Sequence, residues 1–198
     1  MPHRANGPEM RSFPWGALWL LAAWLTPATA NADEAVWRLL QGGGQVVLIR
    51  HALTTPGVGD PEGMTLSDCA TQRNLSDEGR AHARTLGDAL RTRAVPVGEV
   101  LSSPWCRCIE TVKLVLGRDP VVEPALGNVF GRSERADAQV AALRPLVSRR
   151  PVEGNTLMFS HGSTILALTG VSPDTSEMVV LTPSGRGRFT VAGRLRTR

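Results

Sequence analysis

Two histidines in this chain each stand where an apolar run stops: Val46-Val47-Leu48-Ile49-Arg50-His51, and Asn155-Thr156-Leu157-Met158-Phe159-Ser160-His161-Gly162. A third polar cluster, Ser102-Ser103-Pro104-Trp105-Cys106-Arg107, follows the run from Val95 to Leu101. An imidazole can serve as a nucleophile or carry a proton. A guanidinium fork matches a tetrahedral oxyanion. Two imidazoles with Arg50 and Arg107 therefore suit phosphoryl chemistry, and cations that neutralise the phosphoryl oxygens leave no need for a metal or other cofactor. Singly, each piece has a plainer explanation: a hydrogen-bonded Arg-His pair, a helix cap, a tight turn. What favours chemistry is that two of the three histidines beyond residue 32 occupy matching positions. The other, His82, lies mid-helix and reads as a surface residue.

These residues need elements to bring them together. A short continuous apolar run behind Gly42-Gly43-Gly44 reads as a strand buried on both faces. In open α/β sheets ligands bind at the carboxyl ends of the strands, so His51, Ser102, Ser103 and His161 should share one edge. Helices are expected over Asp33–Gln41 and from Ser76, an N-cap followed by Asp77 and Glu78, to about Arg93. Ser103 as N-cap and Pro104 at the first helical position predict a helix to Gly117, whose free amides and Arg107 face the same edge. Further helices are expected over Ala136–Arg149, with Pro145 inside, and Ser163–Gly170. Pro120–Glu123 reads as a short strand. Met178–Thr182 and Arg188–Leu195 read as a hairpin around Ser184-Gly185. This alternation predicts a three-layer α/β/α fold with a mainly parallel central sheet. Residues 52–74 and 124–135 are irregular and should roof the site.

Residues 1–32 read as a secretory signal peptide. Arg4 and Arg11 precede an apolar stretch, Trp15 to Leu25, and the small-residue sites Ala28-Thr29-Ala30 and Ala30-Asn31-Ala32 follow. The stretch is too short to span a bilayer comfortably. Residues 33–198 are then one domain, periplasmic or secreted, with no stable membrane insertion after cleavage. In an oxidising compartment Cys69 should pair with Cys106 or Cys108, which point to different helix faces and so not to each other. The net charge is only +4 and the arginines are scattered without interleaved aromatics. That pattern argues against nucleic acid and suits a small phosphorylated substrate.

The combination resembles the histidine phosphatase superfamily, branch 1, with its phosphoglycerate mutase-like fold. The family's Arg-His-Gly is similar to Arg50-His51-Ala52, and its Leu-Thr/Ser-x-x-Gly-x-x-x-Ala to Leu75 through Ala83. Its Ser-Ser-x-x-x-Arg-x-x-x-Thr is similar to Ser102 through Thr111, and its second His-Gly to His161-Gly162. The resemblance implies attack by His51 on phosphorus to form a phosphohistidine, with Arg50, Arg107 and His161 holding the phosphoryl oxygens. Arg73 and Ser103 are further phosphate or substrate contacts on the same grounds.

Two departures stand out. Ala52 replaces the usual glycine, and Asn128 falls where mutase-like members place the glutamate that protonates the leaving oxygen. An asparagine cannot do that. Glu177 is the first substitute, because it precedes the strand after the His161 helix; Glu134 and Glu123 follow. Without a donor, the enzyme would favour acyl phosphates, phosphohistidine or activated esters. Other hydrolase signatures fail on spacing: no cysteine has an arginine six positions on, and there is neither a P-loop lysine nor a Gly-x-Ser-x-Gly elbow. The rival reading is an exported phosphate- or sugar-phosphate-binding protein whose degenerate site has lost turnover.

Overall fold

Alternation along the strands divides the apolar residues between two cores, one on each face of the sheet. The computed structural model describes residues 28–197, with Met1 and His3. Most of the leader expected over residues 1–32 lies outside the described residues. The first helix, α1, runs Ala28–Gln41, beginning five residues before the expected Asp33. Strand β1, Val46–Arg50, follows, then α2, Asp77–Thr92, and β2, Val97–Ser102. Next come α3, Cys106–Leu116, the two-residue β3, Val121–Val122, and α4, Ser133–Ser148. The chain closes with β4, Asn155–Ser160, α5, Gly162–Thr169, and the hairpin β5, Met178–Gly185, and β6, Arg188–Leu195.

The six strands form one sheet in the order β3-β2-β4-β1-β5-β6. The first four are parallel, and β5 and β6 add an antiparallel edge. Val47, Ile49, Leu157 and Phe159 pack with Trp37, Leu40, Leu86, Leu90, Val112 and Val115 of α1, α2 and α3. Their neighbours Val46, Leu48 and Met158 turn the other way, toward Leu143 and Val147 of α4 and Ile165 and Leu168 of α5. Strict alternation with both faces apolar is what a doubly covered strand requires. The expected three layers are present.

Local signals fix several boundaries as read from sequence. The Ser76 hydroxyl accepts from the Gly79 amide at 3.0 Å and caps α2. Gly79 is required there, since a Cβ would lie 1.9 Å from the Leu53 carbonyl oxygen. Helix α3 starts only at Cys106, later than expected, although the Ser103 hydroxyl still accepts from the Trp105 amide at 3.4 Å besides meeting His161. The hairpin is longer than expected and turns at Arg186-Gly187, where both residues have positive φ.

Residues 52–74 form a long excursion from the end of β1 to α2. Between Thr55 and Thr71 no side chain is buried. The excursion is held by one antiparallel bridge, Thr54 to Leu75, and by the Cys69–Cys106 disulfide. Cys108 keeps its thiol, buried on the other face of α3.

Candidate active site

The parallel register carries the histidines to one edge. Arg50 pairs with Ser160 across β1 and β4, so His51 and His161 leave the sheet side by side. Their ring centroids are 5.2 Å apart. One cavity is lined by Arg50, His51, Arg73, Arg107, Asn128, His161, Gly162 and Ser163, among others. The expected site residues thus converge, with the exception of the acid.

His51 is buried, and its Nδ1 lies 2.8 Å from the Ala52 carbonyl oxygen. A carbonyl only accepts, so Nδ1 carries the proton and Nε2 keeps its lone pair. Burial, followed by the positive charge of Arg107, lowers the His51 pKa to about 3, with Arg50 and Arg73 pushing the same way and the Ala52 bond opposing. The ring is therefore neutral at physiological pH, as a nucleophile must be.

His161 takes the opposite tautomer. Arg107 Nη2 lies 3.4 Å from its Nδ1, and a guanidinium only donates, so the proton sits on Nε2 and is given to the Ser103 hydroxyl at 2.8 Å. Burial and the neighbouring His51, Arg107 and Arg50 hold its pKa well below the ordinary value. Cys108 lies 3.6 Å from the same Nε2, and burial pushes its thiol up to about 12, so it is not a nucleophile.

Three guanidinium groups surround this pair. Arg50 donates to the Pro173 carbonyl at 2.9 Å, and Arg73 donates through Nη1 to the Gly57 carbonyl at 2.6 Å. Arg50, Arg73 and Arg107 each keep a buried Nε with no hydrogen-bond partner. Buried donors without partners are rare and costly, and three cationic side chains lining one cavity suit an anion. Gly162, the first residue of α5, leaves room for Arg50: a Cβ would lie 3.3 Å from the Arg50 Cδ and Nε. The first-turn amides of α5 have no acceptor within the helix, which adds to the anion's attraction. At α3 the expected free amides are taken instead. The Cys106 amide donates to Gln72 Oε1 at 2.9 Å, and that of Trp105 to Ser103 Oγ at 3.4 Å.

Residues 46–138 match the family described as histidine phosphatase superfamily (branch 1). Over that stretch the chain carries the pattern of that superfamily. Among solved structures it is similar to the protein histidine phosphatase SixA complexed with tungstate, at 21% identity, covering 77% of this chain and 97% of that one, with a TM-score of 0.56. It is also similar to the open reading frame Rv3214 product of Mycobacterium tuberculosis, at 20% identity over 78% and 98% of the two chains, TM-score 0.54. A third is a phosphoserine phosphatase variant from Entamoeba histolytica in complex with phosphoserine, at 11% identity over 78% and 98%, TM-score 0.52. At these identities the likeness is one of fold. A search of curated proteins gives no match.

None of the three carboxylates offered as the acid from sequence lines this cavity. Glu177 is 2% exposed, and its carboxylate accepts from Arg194 at 2.7 and 2.8 Å and from the Asp174 amide at 2.6 Å, with Arg196 at 3.3 Å. Burial raises its pKa, but these donors outweigh it and hold the carboxyl below its ordinary range. A carboxylate held so firmly ionised, outside the cavity lining, is a structural group. Glu123 caps a short turn by accepting from the Ala125 amide at 2.9 Å, and Glu134 is exposed on α4 beside Arg135. Asn128 does enter the site. The Ser160 and Thr164 hydroxyls hold the carbonyls of Leu126 and Gly127, and Asn128 Oδ1 accepts from Ser163 Oγ at 2.7 Å.

One residue at the site carries no sequence signal. Asp60, in the 52–74 excursion, accepts from Arg107 Nη1 at 2.5 Å and Nη2 at 3.2 Å. Trp105 Nε1 at 3.0 Å and the Arg73 amide at 3.2 Å complete its contacts. It sits in a Gly-Asp-Pro stretch that reads as a turn, and the only hint available beforehand was the excursion's length.

Proposed function

We propose that the protein is an exported phosphatase that hydrolyses a phosphomonoester or related phosphoryl compound through a phosphohistidine on His51. The observation that carries this is a neutral, tautomer-fixed His51 in a cavity that Arg50, Arg73 and Arg107 also line. The His51 Nε2 lone pair attacks phosphorus as the phosphorus–oxygen bond to the leaving group breaks. Water then attacks the phosphohistidine, inorganic phosphate departs and His51 returns to its starting state. Arg50 and Arg107 hold the phosphoryl group beside His161, while Arg73 and Ser103 support it, the latter by orienting His161. Cations fixed in a dry site stabilise the charge developing on the phosphoryl oxygens. The reported ligands tungstate and phosphoserine, on SixA and the Entamoeba enzyme, are of the kind this clamp would take. Export is supported by the leader-like residues 1–32 and by the Cys69–Cys106 disulfide, which suits an oxidising compartment. Among the described residues no helix is long and apolar enough to cross a membrane.

The test is to mix the protein with 4-nitrophenyl phosphate, quench in alkali and locate phosphate by mass spectrometry. A phosphorylated His51 peptide that disappears in His51→Ala, together with phosphate release, is expected. Phosphate affinity with neither adduct nor release would instead identify a binding protein with a degenerate site.

A further inference from the structure

Two cavities meet at the site. The first holds His51 and the clamp, and the second is lined by Asp60, Pro61, Met64, Trp105 and Arg132, with Gly59, Asn128 and Phe130 common to both. Through those shared residues the cavity that holds His51 opens onto the one that holds Asp60. Asp60 is the one carboxylate lining either cavity among the described residues. We propose, on the footing of the phosphohistidine reading above, that Asp60 is the catalytic acid that protonates the leaving oxygen and then the base that activates water.

Its surroundings set the carboxylate at the right place. The indole of Trp105 and the amide of Arg73 fix its two oxygens, and both contact the guanidinium of Arg107. Its side chain is 10% exposed, so one edge reaches the cavity. Burial raises the Asp60 pKa, but Arg107, Trp105 and the Arg73 amide together hold it below its ordinary value. A bound phosphoryl dianion changes that balance. It competes for Arg107 and puts negative charge beside the carboxylate, and both effects favour the protonated acid. The proton need not come from elsewhere, because a phosphomonoester has its second pKa at about 6 and can enter as the monoanion. Transfer to Asp60 yields the reactive dianion and the carboxylic acid in one step. When the phosphorus–oxygen bond breaks, the Asp60 proton goes to the leaving oxygen. The resulting carboxylate takes a proton from the water that attacks the phosphohistidine, and product phosphate leaves as the monoanion or its conjugate base. Asn128 at the usual position of the acid is then no defect, and unactivated alkyl phosphates become substrates. That reverses the expectation drawn from sequence.

The experiment compares Asp60→Asn and Asp60→Glu with the wild-type protein on dinitrophenyl, phenyl and alkyl phosphates, with phosphorylation of His51 followed for each. For Asp60→Asn we expect turnover of the alkyl ester to fall at least about 100-fold, and at least about 30-fold further than turnover of the dinitrophenyl ester. Asp60→Glu, which keeps a carboxyl, should regain part of the alkyl activity. Equal loss on all three esters in both variants would show that Asp60 only orients Arg107, and would overturn the assignment. So would retained or faster alkyl turnover with tighter binding of inorganic phosphate, the mark of a carboxylate that merely blocks the clamp. Absence of any His51 adduct in the wild-type protein defeats the phosphohistidine reading itself. An adduct with a flat leaving-group response defeats only the role of Asp60.

Discussion

Replacing Cys69 and Cys106 together by alanine tests how the 52–74 excursion is held. The disulfide closes 37 residues of chain. Chain-entropy estimates put the stabilisation from constraining an unfolded loop of that length at roughly 3–4 kcal/mol. Besides the contacts of Asp60 with Arg107 and Trp105, the excursion has little to compensate its ordering, since no residue from Thr55 to Thr71 is fully buried. For a domain of this size a urea slope of about 2 kcal/mol/M converts the loss into a midpoint lowered by roughly 1.5–2 M. The assay is equilibrium urea unfolding of the double variant and of the oxidised wild-type protein at one pH. The site should respond as well. Cys106 adjoins Arg107, Gln72 reaches the Cys106 amide, and the Arg73 amide holds Asp60. Affinity for inorganic phosphate should therefore weaken under conditions where the variant remains folded. A midpoint shift below about 0.5 M would refute the reasoning, because it would mean that the excursion's own contacts order it without the bridge.

Three further outcomes follow from the geometry. His51 is neutral in the folded protein down to a pKa of about 3, but ordinary when unfolded, so the unfolded chain binds the extra proton and stability falls as pH drops from about 6.5 toward about 3. Urea midpoints measured from pH 7 to 4 should fall by less in His51→Gln than in the wild-type protein; parallel curves would contradict the buried neutral ring. Glu177→Gln should destabilise by about 2–4 kcal/mol, because the buried carboxylate partner of Arg194 is lost, yet leave the leaving-group dependence of turnover unchanged. A selective loss on alkyl phosphates in Glu177→Gln would restore it as the acid. Gly79→Ala should cost at least about 3 kcal/mol in thermal or urea unfolding, since a Cβ 1.9 Å from the Leu53 carbonyl forces helix and backbone apart; a neutral substitution would show that this contact relaxes freely.

By itself the sequence determined whatever depends on near neighbours. Short continuous apolar runs set the strands and their burial on both faces, Ser76 set the start of α2, and the ends of β1 and β4 announced His51 and His161. Family spacing added Arg107. The tertiary structure decided what depends on where side chains from distant segments come to rest. Cys106 rather than Cys108 pairs with Cys69, because only its helix face meets the excursion. Ser103 gains a partner that no local signal announces, a buried imidazole 58 residues away. Glu177, well placed in sequence order, is captured by Arg194 from the neighbouring strand β6. Asp60 and Arg107 lie 47 residues apart in a loop and a helix that no periodicity relates. The loop carries few local constraints of its own, so only the assembled site, with its disulfide, indole and guanidinium, gives that carboxylate a position.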